Sequence, residues 1–319
     1  MTMKHLRLFL YTVLFGLTFT ACGGDDDDIT DNTGGGNQRS TPTVANTNAN
    51  DGSVAFSRQL EFPHLKGGNS LVLVHIVPVY GVNYSTEWDT DKRAQRWSCY
   101  QMHAGNNVRN TNRYTSDTNQ YPNDPFLSSR YQFTSDPYWN TGYDHGHICP
   151  SADRLNSEEA NIQTFYLTNM QPQQNGFNAG VWENMESQVR NWNSNNFRDT
   201  LYVVKGGTID SEENLGAPNS RGQIMQYIGS GVNRIPVPKY FFMAILCKDK
   251  SSANGGYKAL AFWVEHKSNS SNDLKRYVVS IDELEQKTGI DFFCNLPDNI
   301  ENAIEAKSAE EICGVWGLK

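Results

Sequence analysis

Two histidines stand two residues apart in residues 143–150, which read YDHGHICP. Residues two apart on an extended strand point to one face, so His145, His147 and Cys149 are expected to share a face. Pro150 lacks a backbone donor and is expected to end that strand. A neutral imidazole can take a proton from water near physiological pH, which is the step a hydrolase requires. The spacing therefore indicates a hydrolytic acid–base site or, with Cys149, a metal site.

A helix that carries a glutamate and an arginine is predicted shortly afterwards. Five apolar residues have the spacing of a single helix face: Val181, Trp182, Met185, Val189 and Trp192. Asn178 precedes this run and is well suited to be the N-cap. Glu186 and Arg190 are one turn apart, where they form either an exposed ion pair or two charges that face a ligand.

These residues resemble the signature of the DNA/RNA non-specific endonuclease family, which includes bacterial secreted nucleases and mitochondrial endonuclease G. That signature is Asp-Arg-Gly-His, then Ser/Thr-Asn, Pro-Gln and Asn, and finally Glu and Arg. The matching positions are Asp144-His145-Gly146-His147, Thr168-Asn169, Pro172-Gln173, Asn178, Glu186 and Arg190. The resemblance extends over most of residues 54–300. It departs from the signature at His145, where the family has arginine.

The resemblance implies metal-dependent hydrolysis of phosphodiester bonds in DNA and RNA. His147 would be the general base, and Asn178 would bind Mg²⁺ through its amide oxygen, with Mn²⁺ as a substitute. Helix rise places Glu186 about 12 Å from Asn178 along the axis, so its contact with the ion is expected through a water molecule. Arg190 would bind phosphate through its paired donors.

Three further residues complete the expected catalytic set. Asn169 matches a family active-site asparagine and is expected to orient the site by hydrogen bonds. Arg113 lies near the position of another phosphate-binding arginine, although the local match is displaced along the chain. His145 would replace a phosphate-binding arginine with a ring that, when neutral, donates one hydrogen bond and carries no charge. This replacement bears on the rate and pH optimum, not on the type of reaction.

The amino terminus predicts export and lipid attachment. Lys4 and Arg7 precede an apolar run too short to span a membrane, which is typical of a signal peptide over residues 1–21. The run ends in Phe-Thr-Ala-Cys, which resembles a lipobox, so Cys22 is expected to carry a lipid anchor; an ordinary signal peptide is the alternative. Residues 22–53 are expected to be a disordered acidic tether, and residues 54–319 a single endonuclease domain. The acidic run at residues 25–28 resembles a surface-export signal, so we expect an outer-membrane lipoprotein, exposed at the cell surface or facing the periplasm.

Replacing Cys22 with serine tests this expectation. If the lipid is attached there, the Cys22→Ser protein should leave the membrane fraction and appear in the soluble fraction. Unchanged fractionation, with no lipid found on the amino-terminal peptide, would contradict the anchor.

Net charge argues against a broad surface for nucleic acid. The chain has a formal net charge of −8. Residues 1–21 contribute two positive charges, and residues 22–53 contribute six aspartates and one arginine, which leaves −5 for residues 54–319. Proteins that bind polyanions normally gain affinity from a basic surface. A nuclease on this chain must therefore concentrate its positive charge at the site.

Apolar runs predict the strands of an α+β fold. The predicted strands are residues 71–77, 96–102, 201–207, 240–247 and 259–264, the last two forming a hairpin. Residues 104–142 predict a long loop, and Ser280 is expected to cap a helix over residues 281–287 that Gly289 ends. Together with the resemblance, this pattern predicts an antiparallel sheet core with a ββα-metal finger against it. Among the cysteines, Cys294 with Cys313 is the best candidate disulfide and Cys99 with Cys149 the second.

Two other functions remain compatible with the sequence. His145, His147 and Cys149 could be ligands of a structural zinc ion, although zinc usually requires a fourth ligand. Alternatively, the chain could be a surface lipoprotein, an inactive nuclease relative, that captures nucleic acid or glycan without cleaving it. Such a binding module has no need for His147, Asn178 and Glu186 at these intervals, so the nuclease is the preferred interpretation. No protein partner is predicted.

Overall fold

The computed structural model describes residues 45–211, 222–251 and 253–318. The predicted signal peptide, the lipid-anchor residue Cys22 and the acidic run at residues 25–28 lie outside the described residues. Within the described part of the chain, no helix is long and apolar enough to cross a membrane.

Seven antiparallel strands form one large sheet. The strands of the fold, in chain order, are β1 (Ser70–Val77), β2 (Gly81–Asp89), β3 (Ala94–His103), β4 (Asp144–His147), β5 (Met170–Gln173), β6 (Thr200–Gly207), β7 (Ile224–Ile228), β8 (Ile235–Pro238), β9 (Tyr240–Lys248), β10 (Tyr257–Glu265) and β11 (Val278–Val279). The large sheet has the order β1-β2-β3-β6-β9-β10-β11, and β4–β5 and β7–β8 form two separate pairs. All neighbours in the large sheet are antiparallel.

The described residues also form six helices. They are α1 (Glu158–Gln163), α2 (Asn175–Phe177), α3 (Glu183–Trp192), α4 (Ile281–Thr288), α5 (Asp298–Glu305) and α6 (Ala309–Trp316), with a π-helical turn, Asn178–Trp182, between α2 and α3. Short 3₁₀ turns lie at Ser129–Tyr131, Ser151–Asp153, Leu167–Asn169, Gly231–Asn233, Ala253–Gly256 and Leu274–Tyr277. The predicted α+β class is therefore confirmed.

All five predicted strands are present, and β9 and β10 form the predicted hairpin. The predicted cap of α4 is also present: Ser280 Oγ accepts a 3.0 Å bond from the backbone N–H of Glu283, and Gly289 ends the helix with φ 69°. The predicted long loop is confirmed, since residues 104–143, all described, contain a single 3₁₀ turn. Strand β2 was not predicted, because its sequence, GVNYSTEWD, mixes polar and apolar residues although it is largely buried.

The two faces of the sheet carry different helices. On the first face, Tyr100, Val203 and Met243 pack in one cluster with the apolar stripe of α3 and with α6. On the second face, the alternate residues of the same strands pack with α4 and α5. Successive residues of a strand point to opposite faces, which explains why the strands β3, β6, β9 and β10 each contribute to both clusters.

The amino-terminal segment lies against the second face, so the predicted domain start at residue 54 is too late. Asn46 Nδ2 donates to the Leu296 carbonyl at 2.7 Å. Asn50 is buried, and its Nδ2 donates to the Ser57 carbonyl at 3.0 Å. Short asparagine-rich segments can satisfy backbone groups by such bonds, a capacity that composition alone does not reveal.

The predicted disulfides are wrong, because all five described cysteines are free thiols. Cys294 is buried in the cluster on the second face, whereas Cys313 packs against the cluster on the first face. Cys99 and Cys149 are divided between the two clusters in the same way. The sheet therefore separates both predicted pairs.

Candidate active site

The two histidines lie on β4, which pairs with β5 in a short antiparallel ladder. His145 is opposite Pro172, and His147 is opposite Met170. Gly146 lies between them, and a Cβ at this position would come within 2.3 Å of the Gln173 side chain. Glycine at this position therefore allows the two strands to approach. The strand ends at His147, so Cys149 lies beyond it rather than on the same strand face.

The helix after this strand pair begins earlier than predicted. Asn178 has helical backbone angles, φ −60° and ψ −54°, and follows α2 directly, so the predicted N-cap role is wrong. Its side chain is used differently, because Nδ2 donates to Asp144 Oδ2 at 3.0 Å. The amide oxygen of Asn178 is thereby fixed in orientation at the start of the helix. The strand pair and the helix together form the ββα unit that the resemblance implies.

A break at Gly180 interrupts the π-helical turn that precedes α3. Gly180 has non-helical angles, φ −115° and ψ −117°, and the next N–H, of Val181, bonds to the Asn269 carbonyl at 2.7 Å. A Cβ on Gly180 would lie 2.1 Å from that same carbonyl oxygen. The close approach of residue 269 thus fixes the angle between Asn178 and the rest of the helix. The apolar stripe predicted for the helix is confirmed, since all five of its members are buried.

A polar cavity of about 460 Å³ lies between the β4 end and α3. Five of the six predicted catalytic residues and the predicted metal ligand line it: Arg113, His145, His147, Asn178, Glu186 and Arg190. Tyr121, Asp144 and Glu183 are also part of its wall. The sixth, Asn169, is fully buried outside the cavity.

His147 has a nitrogen available for proton transfer. Its Nε2 is buried and has no hydrogen-bond partner among the described residues. Burial, followed by the charge of Arg113, lowers the pKa of His147 to about 3, while a backbone hydrogen bond to His145 acts in the opposite direction. The ring is therefore neutral at physiological pH, and its unpartnered Nε2 lies in the cavity wall.

His145 is held between aromatic rings and a carboxylate. Its ring stacks on Tyr121, with centroids 3.7 Å apart and planes 3° from parallel. Its Nε2 lies 3.0 Å from both carboxylate oxygens of Asp136. Because a carboxylate only accepts, this nitrogen carries the proton. A neutral imidazole has only one N–H group, and in His145 that group bonds to Asp136. The neutral ring therefore has no N–H left to bind phosphate, the role that the sequence predicted for it.

Glu186 is buried beside Lys205, a residue that was not predicted. Lys205 Nζ donates to Glu186 Oε1 at 3.0 Å, and the lysine side chain is fully buried. Arg190 Nη1 is 4.0 Å from Glu186 Oε2, as expected for residues one turn apart. Burial raises the pKa of Glu186, while Lys205 and Arg190 act in the opposite direction. The carboxylate is thus held in place by cations on two sides.

Arg190 is positioned by a second buried carboxylate. Its Nη1 lies 3.2 Å from Asp153 Oδ1, and Tyr100 donates to the other oxygen of Asp153 at 2.9 Å. Asp153 comes from the 3₁₀ turn that follows β4, so this pair connects the strand end to α3. The guanidinium still lines the cavity, with 30% of the side chain exposed. Arg190 can therefore present its remaining N–H donors to an anion there.

Asn169 bonds to the chain behind the cavity. Its Oδ1 accepts from the Cys149 backbone N–H at 2.9 Å, and its Nδ2 donates to the carbonyls of Cys149 and Thr164, each at 2.8 Å. Two of these bonds hold the chain two residues after His147, and the third connects it to the end of α1. Asn169 therefore braces the chain beside the cavity without lining it.

Comparisons with known proteins agree with this geometry. The family model for DNA/RNA non-specific endonucleases matches residues 68–299. The chain belongs to the DNA/RNA non-specific endonuclease family. A nuclease of Nostoc sp. is 29% identical over 232 residues, covering 70% of this chain and 76% of that protein. The mitochondrial nuclease EXOG of Xenopus laevis is 28% identical over 222 residues, covering 67% of this chain and 58% of that protein.

A solved structure extends the comparison to the fold. The crystal structure of the EndoG/EndoGI complex, which concerns the inhibition of EndoG, matches with a TM-score of 0.60 and 22% identity. The match covers 76% of this chain and 94% of that chain. Membership of the endonuclease family therefore rests on the family-model match, and the solved structure supports the α+β fold.

The structure does not support the alternative of a structural zinc site. The ligand atoms of His145, His147 and Cys149 do not converge on a common point. Cys149 instead belongs to the apolar cluster on the first face of the sheet, and burial raises its pKa to about 12. A buried, protonated thiol is a poor ligand for zinc.

Four residues of the site were missed from the sequence: Asp136, Asp153, Glu183 and Lys205. Lys205 ends an apolar strand run, and a lysine there is a signal that could have been noticed, since buried lysines require a partner. Glu183 stands three residues before Glu186, one turn back on the same helix. Asp136 lies in the long loop, where no periodicity marks it. Asp153 follows the histidine strand closely, but its pairing with Arg190 depends on the tertiary fold.

Proposed function

We propose that this chain is a divalent-metal-dependent nuclease that hydrolyses internal phosphodiester bonds of both DNA and RNA, with His147 as the general base. The observation that carries the proposal is the unpartnered Nε2 of His147 in the wall of a polar cavity that also contains two arginines. A neutral imidazole with a free lone pair can remove the proton from an attacking water.

The arginines account for phosphate binding. Arg190 is held by Asp153, and its guanidinium faces the cavity, where it would donate to the non-bridging oxygens of the scissile phosphate. Arg113 also lines the cavity, with its guanidinium 4.8 Å from the Phe165 ring centroid. Fixed positive groups at this position stabilise the charge that develops on the phosphoryl oxygens.

The residues present also fit a bound Mg²⁺. The cavity has two arginines against three carboxylates, those of Asp144, Glu183 and Glu186. A phosphodiester would therefore enter an acidic site unless a cation accompanied it. Asn178, whose amide nitrogen is occupied by Asp144, would hold Mg²⁺ through its oxygen, with Glu186 acting through water. When bound, the ion supplies positive charge to the phosphate and to the leaving oxygen; Mn²⁺, which prefers similar ligands, could replace it.

The groups in the cavity favour contact with the phosphate backbone rather than with bases. Arginine, asparagine and histidine can bind the phosphate groups, which DNA and RNA share. We therefore infer that cleavage is independent of sequence and of the sugar. Because phosphate binding releases counterions, activity should fall steeply as salt concentration rises.

The test is incubation of the purified protein with supercoiled plasmid and with total RNA, with Mg²⁺ or with EDTA. We expect both substrates to be degraded to continuous smears, activity to disappear in EDTA and excess Mg²⁺ or Mn²⁺ to restore it. Discrete fragments from unrelated plasmids would contradict the lack of specificity. Retention of nucleic acid without cleavage under all conditions would instead support the binding module.

The substitution His145→Arg restores the residue typical of the family. Arginine can pair with Asp136 through two N–H groups and still direct others to phosphate, so activity should be maintained or should rise. The matched comparison is His145→Gln, which can bond Asp136 but adds no charge. The measurement is the initial rate of plasmid nicking at several pH values. A folded but inactive His145→Arg protein would show that the imidazole itself is required.

A further inference from the structure

Four carboxylates face one another on two helices far in sequence from the cavity. Asp282 and Glu285 lie three residues apart on α4, and Glu301 and Glu305 lie four residues apart on α5. Residues at these intervals share one helix face, and like charges at these intervals repel. The second face of the sheet holds α4 and α5 side by side, so the repulsion acts both within and between the helices.

Glu305 is the exceptional member of this acidic cluster. Its side chain is 6% exposed, and its Oε1 has no hydrogen-bond partner among the described residues. One oxygen each from Asp282, Glu285 and Glu305 lie within 4.8 Å of one another. Two ligands that each bind one ion at about 2.4 Å can be at most about 4.8 Å apart, so these oxygens can share an ion.

No protein cation compensates this cluster in the described part of the chain. None of the ion pairs found there involves Asp282, Glu285, Glu301 or Glu305. A cation bound at the unpartnered Glu305 Oε1 would relieve the repulsion among these carboxylates.

We propose that Asp282, Glu285 and Glu305 form a structural Ca²⁺ site between α4 and α5, separate from the catalytic cavity. Carboxylate oxygens without histidine or cysteine are ligands for a hard cation. Ca²⁺ accepts six to eight oxygens in irregular geometry, and waters can complete the shell on the open side. Mg²⁺ is less suitable because it requires near-octahedral geometry and loses its waters reluctantly.

The proposed site also stabilises the attachment of the amino-terminal segment. Asn48 Nδ2 donates to Glu301 Oε1 at 2.9 Å and lies 3.2 Å from Asp291 Oδ2. Thr47 N–H donates to Asp298 Oδ1 at 2.9 Å. These bonds attach the segment to α5 and to the loop before it. An ion that draws α4 and α5 together therefore keeps the acceptors for residues 47–48 in position.

The experiment measures thermal unfolding and calorimetric binding of the full chain with CaCl₂, MgCl₂ or NaCl at matched ionic strength. We expect a dissociation constant for Ca²⁺ of roughly 0.1–1 mM, as in extracellular modules. At 10 mM Ca²⁺ the ratio of folded to unfolded protein should then rise about 10- to 100-fold. Mg²⁺ at the same concentration should have a smaller effect.

Four variants locate the site. Glu305→Gln and Asp282→Asn should each weaken Ca²⁺ binding at least about 10-fold, since a ligand is lost. Both variants relieve repulsion, so they should fold without Ca²⁺. Glu310→Gln, an exposed acid on α6, and Asn178→Ala, in the cavity, should keep the full response. No stabilisation by Ca²⁺, or a response that survives in Glu305→Gln, would overturn the proposal, and a shared proton would then explain the cluster.

Discussion

Replacing His147 with alanine should reduce the cleavage rate at least about 10²-fold on DNA and on RNA, the lower range for a positioned general base. The removed ring has a buried, unpartnered Nε2 in the cavity wall, and its neutral state is imposed by burial. The loss should be equal on the two nucleic acids, because the base acts on water rather than on the sugar. The measurement is the initial rate on each substrate under identical Mg²⁺ and salt.

The same substitution should alter acid stability in a defined direction. The pKa of His147 is lowered to about 3 in the folded chain, so between pH 6.5 and pH 3 the unfolded state binds the extra proton. Stability therefore falls as pH decreases through this window, and His147→Ala should make that decrease less steep. The measurement is the free energy of unfolding in urea at several pH values between pH 4 and pH 8.

His64→Ala is the control, since His64 is exposed and does not line the cavity. It should change neither rate nor acid stability. Near-wild-type cleavage by His147→Ala would remove the general-base assignment, whatever the outcome for metal dependence.

Replacing Lys205 with methionine should destabilise the fold by about 3 kcal/mol, because removal of one partner leaves a buried charge without compensation. Lys205 is fully buried, and its Nζ donates to Glu186 Oε1 at 3.0 Å. Arg190 lies further from the same carboxylate and compensates only partly. Chemical denaturation at pH 7 measures the free energy of unfolding, and activity should fall with the displacement of Glu186.

A second substitution shows whether charge is the cause. The double variant, with Lys205→Met and Glu186→Gln together, has no carboxylate left without a partner. Most of the stability lost in the single variant should therefore return. Lys267→Met serves as the surface control, because Lys267 and Glu265 are largely exposed and such pairs contribute at most about 1 kcal/mol. Equal destabilisation of the single and double variants would mean that loss of packing, not of charge, determines the effect.

The sequence predicted well what depends on local periodicity. The stripe from Val181 to Trp192 is buried as expected, and the β9–β10 hairpin forms, since neighbouring residues determine both. Asn178 shows the limit of this approach. Because Asn178 stands before an apolar run, it was predicted to begin the helix. Instead α2 precedes it, and its amide nitrogen donates a hydrogen bond to Asp144.

Contacts between distant residues were beyond sequence reasoning. His145 pairs with Asp136 from the long loop, and Glu186 pairs with Lys205 from the next strand. No period in a sequence brings such residues together, because their proximity results from the packing of separate elements. The cysteines illustrate the same point, since proximity of Cys294 and Cys313 in sequence does not reveal that a sheet separates them.

The division of the sheet into two faces has a mechanical consequence. Residues 45–50 join the fold beside Leu296 on the second face, whereas the stripe of α3 and the cavity at its start belong to the first. A load applied at residue 45 would therefore enter the fold through α5 and the loop before it, on the opposite face from the apolar stripe of α3.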